Sequence, residues 1–228
     1  MNKSIVIACM LLSLHCLAQK KKDFSGTVIR PFGVHVTGMD QFAEDRPKGS
    51  PYIQPMFSQA KVENVEANAN MRYNAYSDEF EFLNSKNDTL VLDKIEDFNA
   101  IVFLGSNKKY KLVDYTNFSG KFVHGYLVEV YQKAGCAYYK KETVSFYAGK
   151  KAKTSLERDM PAKFNKDADS YYLKDKNGKI TEFPESKRQL SKLFPDKKDA
   201  IEAFVKENKI DFDADAGRIK IVDFLAAL

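Results

Sequence analysis

The chain has no tryptophan and, in 228 residues, only three cysteines and three histidines. Each scarcity excludes something. Without tryptophan, the flat indole platform favoured for stacking sugars is missing. Cys9 and Cys16 both fall in the first eighteen residues, so a chain shortened there keeps Cys136 alone and can form no internal disulfide. His35 and His124 have no cysteine or carboxylate beside them at ligand spacing, and zinc-protease and zinc-finger patterns are absent. There is no Gly-x-Ser-x-Gly elbow, P-loop or Rossmann glycine fingerprint. No motif prescribes a reaction, so the chain reads as non-catalytic ahead of an enzyme of unrecognised type built on Cys136, His124 or a carboxylate pair. Charge of one sign is lacking too. Thirty-six Lys and Arg face 31 Asp and Glu, interspersed as in Lys140-Lys141-Glu142 and Asp196-Lys197-Lys198-Asp199. Such mixing marks solvated faces, not a nucleic-acid footprint.

Long apolar runs are missing beyond the start. Residues 5–17 are apolar except Ser13 and His15, follow Lys3, and precede small residues at Cys16 and Ala18. This is the grammar of a cleaved secretory signal over residues 1–18, with Gln19 opening the mature chain. The run is shorter than the ~20 residues of a membrane span, and no later stretch approaches that. His15 before Cys16 argues against a lipid-anchoring signal. The expectation is an exported protein, periplasmic or secreted, without a transmembrane segment.

Residues 19–56 form an irregular segment: β character at 24–36, interrupted by Pro31 and Gly33, then a polar stretch with Pro47, Gly49 and Pro51. From 57 to 183 the pattern is strands. Met71, Tyr73 and Ala75 alternate with Arg72, Asn74 and Tyr76, and Phe80 and Phe82 with Glu79 and Glu81, which predicts one face on a core. Short β-rich runs follow at 89–92, 100–104, 110–115, 122–131 and 137–147. Residues 149–169 read as a loop. Asn177-Gly178 predicts a hairpin between 171–173 and 180–183, through a type I′ turn. In 184–228 the period changes. Ser186 and Gln189 form a capping box ahead of helices over 186–194, 197–208 and 215–227. The fold expected is α+β: a twisted antiparallel meander, with barrel-like closure left open, followed by helices packed on the sheet.

Three constellations remain. Asp211, Asp213 and Asp215 sit at calcium-loop spacing, the one cofactor the chain hints at. Glycine comes one place late at Gly217, and Val222 stands where a bidentate Glu belongs. The alternative is that these aspartates turn the chain and cap the last helix. Seventeen Phe and twelve Tyr either fill a sheet core or line a concave site for an apolar ligand. Arg72, Tyr73 and Asn74 open the run Arg72-Tyr73-Asn74-Ala75-Tyr76-Ser77-Asp78-Glu79, in which Arg72 either contacts a ligand or pairs across strands with Glu79 or Glu81. This run, with Gly49-Ser50-Pro51-Tyr52 and the Lys206–Ile210 lead-in to the last helix, resembles uncharacterised exported proteins of Bacteroidota. The resemblance implies an envelope location and supplies no activity. The function expected is a non-catalytic binding or interaction protein, with a carrier of a lipid-like apolar ligand as the alternative.

Overall fold

A computed structural model of the chain describes residues 47–154 and 156–228, together with the backbone of Arg30–Pro31. The expected signal at 1–18 and His35 lie outside the described residues. The strands are β1 (Arg30–Pro31), β2 (Ser58–Val62), β3 (Ala69–Asn74), β4 (Glu79–Leu83), β5 (Thr89–Val91), β6 (Ala100–Phe103) and β7 (Lys108–Thr116). They continue with β8 (Phe122–Lys133), β9 (Cys136–Lys141), β10 (Val144–Tyr147), β11 (Lys163–Lys166), β12 (Ser170–Lys174) and β13 (Ile180–Glu182). Three helices close the chain: α1 (Lys187–Leu193), α2 (Lys198–Glu207) and α3 (Asp215–Ala227). The protein is α+β. Eleven strands form one open antiparallel sheet in the order β1-β5-β4-β3-β2-β6-β7-β8-β9-β12-β13, and β10 pairs with β11 alone.

The sheet rolls, and the core shows why. Phe80 on β4 and Tyr126 on β8 are five strands apart, roughly 24 Å in a flat sheet at about 4.8 Å per strand. Their ring centroids are 4.8 Å apart. Tyr73 likewise meets Tyr110 at 4.8 Å. These rings, with Met71, Phe82, Ile101 and Val128, form one buried cluster inside the roll. Each such aromatic removed from water favours folding by about 1.5–3 kcal/mol, and a flat sheet would leave them exposed. Alternation then builds a second cluster on the opposite face: Tyr126 and Val128 point into the first, Leu127 into the second beside Tyr115, Ala137, Tyr139, Tyr172 and Ile180. Here β13 returns against β7 but makes no ladder with it, so the roll stays open. Helix α3 lies against β8 and β9, with α1 and α2 packed on each other beside it. Leu190, Ile201, Ile221, Val222 and Leu225 bury themselves against Cys136, Tyr138, Leu173 and Phe183.

Two expectations need correction. Residues 149–169 are not all loop: Lys163–Lys166 pairs with β10 in the register Phe146↔Phe164, held also by Lys48, whose carbonyl accepts the Phe164 N–H at 2.8 Å. The hairpin between β12 and β13 is present, but its turn is not type I′. Gly178 has φ +85° while Asn177 stays out of the positive region. The Asp175 carboxylate accepts the Lys179 N–H at 2.9 Å, which favours a wider loop over 175–179.

Tyrosine hydroxyls show one way in which a polar aromatic is accommodated here. Five of the twelve donate to a carboxylate that a cation also holds. Tyr52 donates to Glu81, paired with Arg72. Tyr73 donates to Asp78, paired with Lys141. Tyr110 donates to Glu142 at 2.7 Å, paired with Lys108 at 2.6 Å. Tyr131 donates to Asp223, paired with Lys133. Tyr138 donates to Asp215, paired with Arg218. Burial pushes the Glu142 carboxyl up, but hydrogen bonds from Lys108 and Tyr110 outweigh it and hold the group below the ordinary glutamate range. Tyr126 is the contrast, since its buried hydroxyl has no hydrogen-bond partner among the described residues. Urea unfolding therefore separates two similar variants. Tyr110→Phe is expected to lose about 1.5–3 kcal/mol, as for a hydrogen bond to a charged group. Tyr126→Phe is expected to leave stability unchanged or to raise it.

Candidate functional site

Arg72, Tyr73 and Asn74 follow one another on β3, opposite Glu81, Phe80 and Glu79 on β4. Arg72 takes the cross-strand partner. Its Nε and Nη2 reach Glu81 Oε2 at 2.8 and 2.7 Å. Nη2 also donates to Tyr52 Oη at 2.8 Å and Nη1 to the Pro55 carbonyl at 3.2 Å. The guanidinium lies over the Tyr52 and Phe57 rings, 3.8 and 4.3 Å from their centroids. Glu81 is 0 % exposed, although strict alternation would turn it to solvent. The segment around Tyr52 and Phe57 covers that face, and Arg72 neutralises the carboxylate beneath it. Asn74 accepts the N–H groups of Tyr76 and Ser77 at 3.2 and 3.1 Å, shaping the β3–β4 turn.

That turn delivers Asp78, in the left-handed region at φ +58°, into the roll. Its carboxylate accepts from Tyr73 Oη at 2.6 Å, Lys94 Nζ at 2.8 Å and Lys141 Nζ. It also takes the Tyr126 N–H at 3.3 Å. A Cβ on Gly125 would collide with this carboxylate, so β8 carries glycine where Asp78 crosses it. Burial pulls the Lys141 ammonium below the usual lysine range against the opposing charge of Asp78. All three residues of the run thus have partners within the chain, and ligand contact would have to displace them.

The other candidates are dispersed. Asp211 Oδ1 accepts the Asp213 N–H at 2.9 Å in a local turn. Asp215 instead receives Tyr138 Oη at 2.6 Å. The cap position of α3 is Ala214, without a side-chain cap, so these aspartates turn the chain and do not cap the helix. Gly217 serves close packing, since a Cβ there would strike the Asp211 backbone. Among the described residues no group of three or more His, Cys, Asp or Glu is placed to hold a metal ion. Cys136 is buried, and burial pushes its thiol up. His124 does have a carboxylate, contrary to the reading from its sequence neighbours: Nδ1 lies 2.6 Å from Asp114 Oδ1 across β7 and β8. The signal was there. The turn at Asn117–Gly120 fixes the register, and counting outward pairs 114 with 124. Cys136 pairs with Lys133, about 30 Å along β8 from His124 at ~3.3 Å per residue. The two do not form a thiol–imidazole pair.

One open cleft stands out, about 630 Å³ in volume, where β13 and the end of β7 diverge and α1 crosses the gap. Phe118, Phe183, Pro184 and Leu193 make it mainly apolar, and Asn117, Glu182, Gln189 and Lys192 line its polar parts. Its walls are built locally. Asn117 Oδ1 accepts the N–H groups of Ser119 and Lys121 at 3.1 and 2.9 Å, which closes the β7–β8 turn and presents Phe118. Phe118 leans on Tyr172, centroids 5.7 Å apart, yet stays 53 % exposed. Ser186 caps α1 as expected, its Oγ accepting the Gln189 N–H, but the return bond of a capping box is displaced by one residue: Gln189 Oε1 accepts the Glu185 N–H at 2.6 Å. No single stretch of sequence announces this cleft, because three separate segments make it. Comparison of the chain with protein-family models, curated proteins and solved structures finds no match.

The Asp78 cluster gives a sharp test of internal wiring. Asp78→Ala leaves Lys141 buried and unpaired, and the expected loss in urea unfolding is about 3–5 kcal/mol. Adding Lys141→Met to the same chain is expected to recover a large part of it.

Proposed function

We propose that the protein is an exported, non-catalytic binding protein of the cell envelope, and that the cleft between the β7–β8 turn and α1 is its binding surface. The export half rests on the signal grammar of residues 1–18. The binding half rests on one observation. Both faces of the rolled sheet are filled by side chains, yet a mainly apolar cleft with Glu182 and Lys192 in its lining stays open beside them. Such a cleft is the default binding site of a folded domain. Phe118, Pro184 and Leu193 suit an apolar group of the partner. Glu182, Gln189 and Lys192 suit its polar and charged groups. The carrier of a lipid-like ligand is the second reading, favoured by the apolar lining. The filled roll leaves such a ligand no enclosed interior, so the first reading leads.

A photoreactive phenylalanine analogue in place of Phe118, in the full precursor expressed in its source cells, tests this. The expected result is an exported product beginning at Gln19 that forms a discrete adduct on illumination. The same analogue at the exposed Glu207 of α2 should give none. Equal labelling at both positions, a product kept in the cytoplasm, or turnover of a generic hydrolase panel would count against the proposal.

A further inference from the structure

We infer that the β10–β11 arm docks on an anionic lipid surface, independently of the cleft. These two strands pair with each other and not with the main sheet, and the bridge Lys150↔Met160 continues the ribbon beyond them. The base of the arm is anchored. Tyr76 lies edge-on to Phe146 and Phe164, with centroids 6.2 and 5.4 Å away, and Lys48 pairs with β11. The far end exposes large apolar side chains among its charges. Leu156 is 95 % exposed and Met160 60 %.

Charge decides what that end fits. Residues 150–163 carry five basic and two acidic side chains, and both acids turn back on the arm. Asp159 accepts the Ala152 N–H at 2.8 Å and Lys151 Nζ at 3.1 Å. Glu157 accepts the Lys153 N–H at 3.0 Å. Lys150, Lys153 and Arg158, close in sequence to Leu156 and Met160, are exposed; Lys163, nearer the base, lies over the Tyr147 ring, 5.6 Å from its centroid. Apolar side chains flanked by cations are what a bilayer interface with anionic headgroups accepts: the chains enter the headgroup boundary while the ammonium groups meet phosphates. A nucleic acid would use the cations and leave Leu156 and Met160 in water. A neutral protein surface would leave the cations without partners. No helix among the described residues is long and apolar enough to cross a membrane.

Co-sedimentation of the purified chain with phosphatidylcholine vesicles, with and without phosphatidylglycerol, tests the inference. Binding is expected only with phosphatidylglycerol present, and should weaken as salt shortens the screening length to a few ångströms. Lys150→Ala and Lys153→Ala should each lower partitioning about five-fold, from about 1 kcal/mol per charge at the surface. Leu156→Asp with Met160→Asp should abolish it, while circular dichroism and melting stay unchanged because both side chains are exposed. Leu193→Asp, in the cleft, should bind vesicles as the parent does. Absence of binding, equal binding to pure phosphatidylcholine, or full binding by the arm variants would overturn the inference. A loss caused only by Leu193→Asp would place lipid in the cleft and overturn the arm.

Discussion

A buried tyrosine carries a conflict: the ring gains from leaving water, and the hydroxyl loses unless something accepts its proton. This protein resolves it for three buried tyrosines, Tyr73, Tyr110 and Tyr138, with a carboxylate that takes the hydroxyl and a lysine or arginine that neutralises the carboxylate, and the half-buried Tyr52 and Tyr131 use the same arrangement. Where the carboxylate is buried, at Glu81 and Glu142, neither charge is comfortable alone; Asp215 stays exposed and Asp223 partly exposed. A buried carboxylate without its cation, or a buried cation without its carboxylate, costs several kcal/mol. The triplets span the fold. Tyr52 ties the N-terminal segment to β4, Tyr73 ties the β3–β4 turn to β9 through Asp78 and Lys141, and Tyr110 ties β7 to the chain after β9. Tyr131 and Tyr138 fasten α3 to the sheet. With no tryptophan present, tyrosine supplies both the bulk and the polar fastening.

The roll follows from the same residues. Tyr73, Phe80, Tyr110 and Tyr126 can share one core only if the first strands curl over the middle ones. Asp78 can reach Lys141 only because Gly125 leaves its carboxylate room. Once the sheet is rolled, its two faces are filled, and the surface left to a partner lies where rolling stops short of closure. The cleft beside β13 and the arm made by β10 and β11 are both by-products of that geometry. In one, two strand edges fail to meet. In the other, two strands between β9 and β12 leave the sheet altogether.

Much of this was legible locally. The alternation of Met71, Tyr73 and Ala75 marked a core-facing strand, Ser186 with Gln189 marked the start of a helix, and the change of period near residue 186 separated sheet from helices. These signals reside in a few adjacent residues. What was not legible depends on distant ones. Glu81 looks like a solvent residue until Arg72 and the segment over it are in place. Lys163-Phe164-Asn165-Lys166 has little strand character and pairs because β10 and Lys48 offer it hydrogen bonds. The aspartate spacing around 211–215 suggested calcium, but Gly217 answers to backbone packing and Asp215 to Tyr138. For the site, Arg72, Tyr73 and Asn74 were conspicuous in sequence because they organise the fold. The cleft was silent because its walls come from three separate segments.

The most direct measurement of the central claim is a native-state ultraviolet titration of tyrosine. Nine of the twelve hydroxyls are held above the ordinary value of 10.0, two of them, Tyr139 and Tyr172, pushed to about 12. Burial is the leading cause for eight of the nine; for Tyr131 it is the hydrogen bond to Asp223. Because the folded values are raised, the stability these groups contribute is complete below pH 10 and is lost as pH climbs through the folded values. The account predicts that only a minority of the tyrosines ionise reversibly near pH 10. The eight held up chiefly by burial should ionise together at higher pH, coincident with loss of the far-ultraviolet dichroism. Reversible ionisation of all twelve near pH 10 in a chain that remains folded would contradict it.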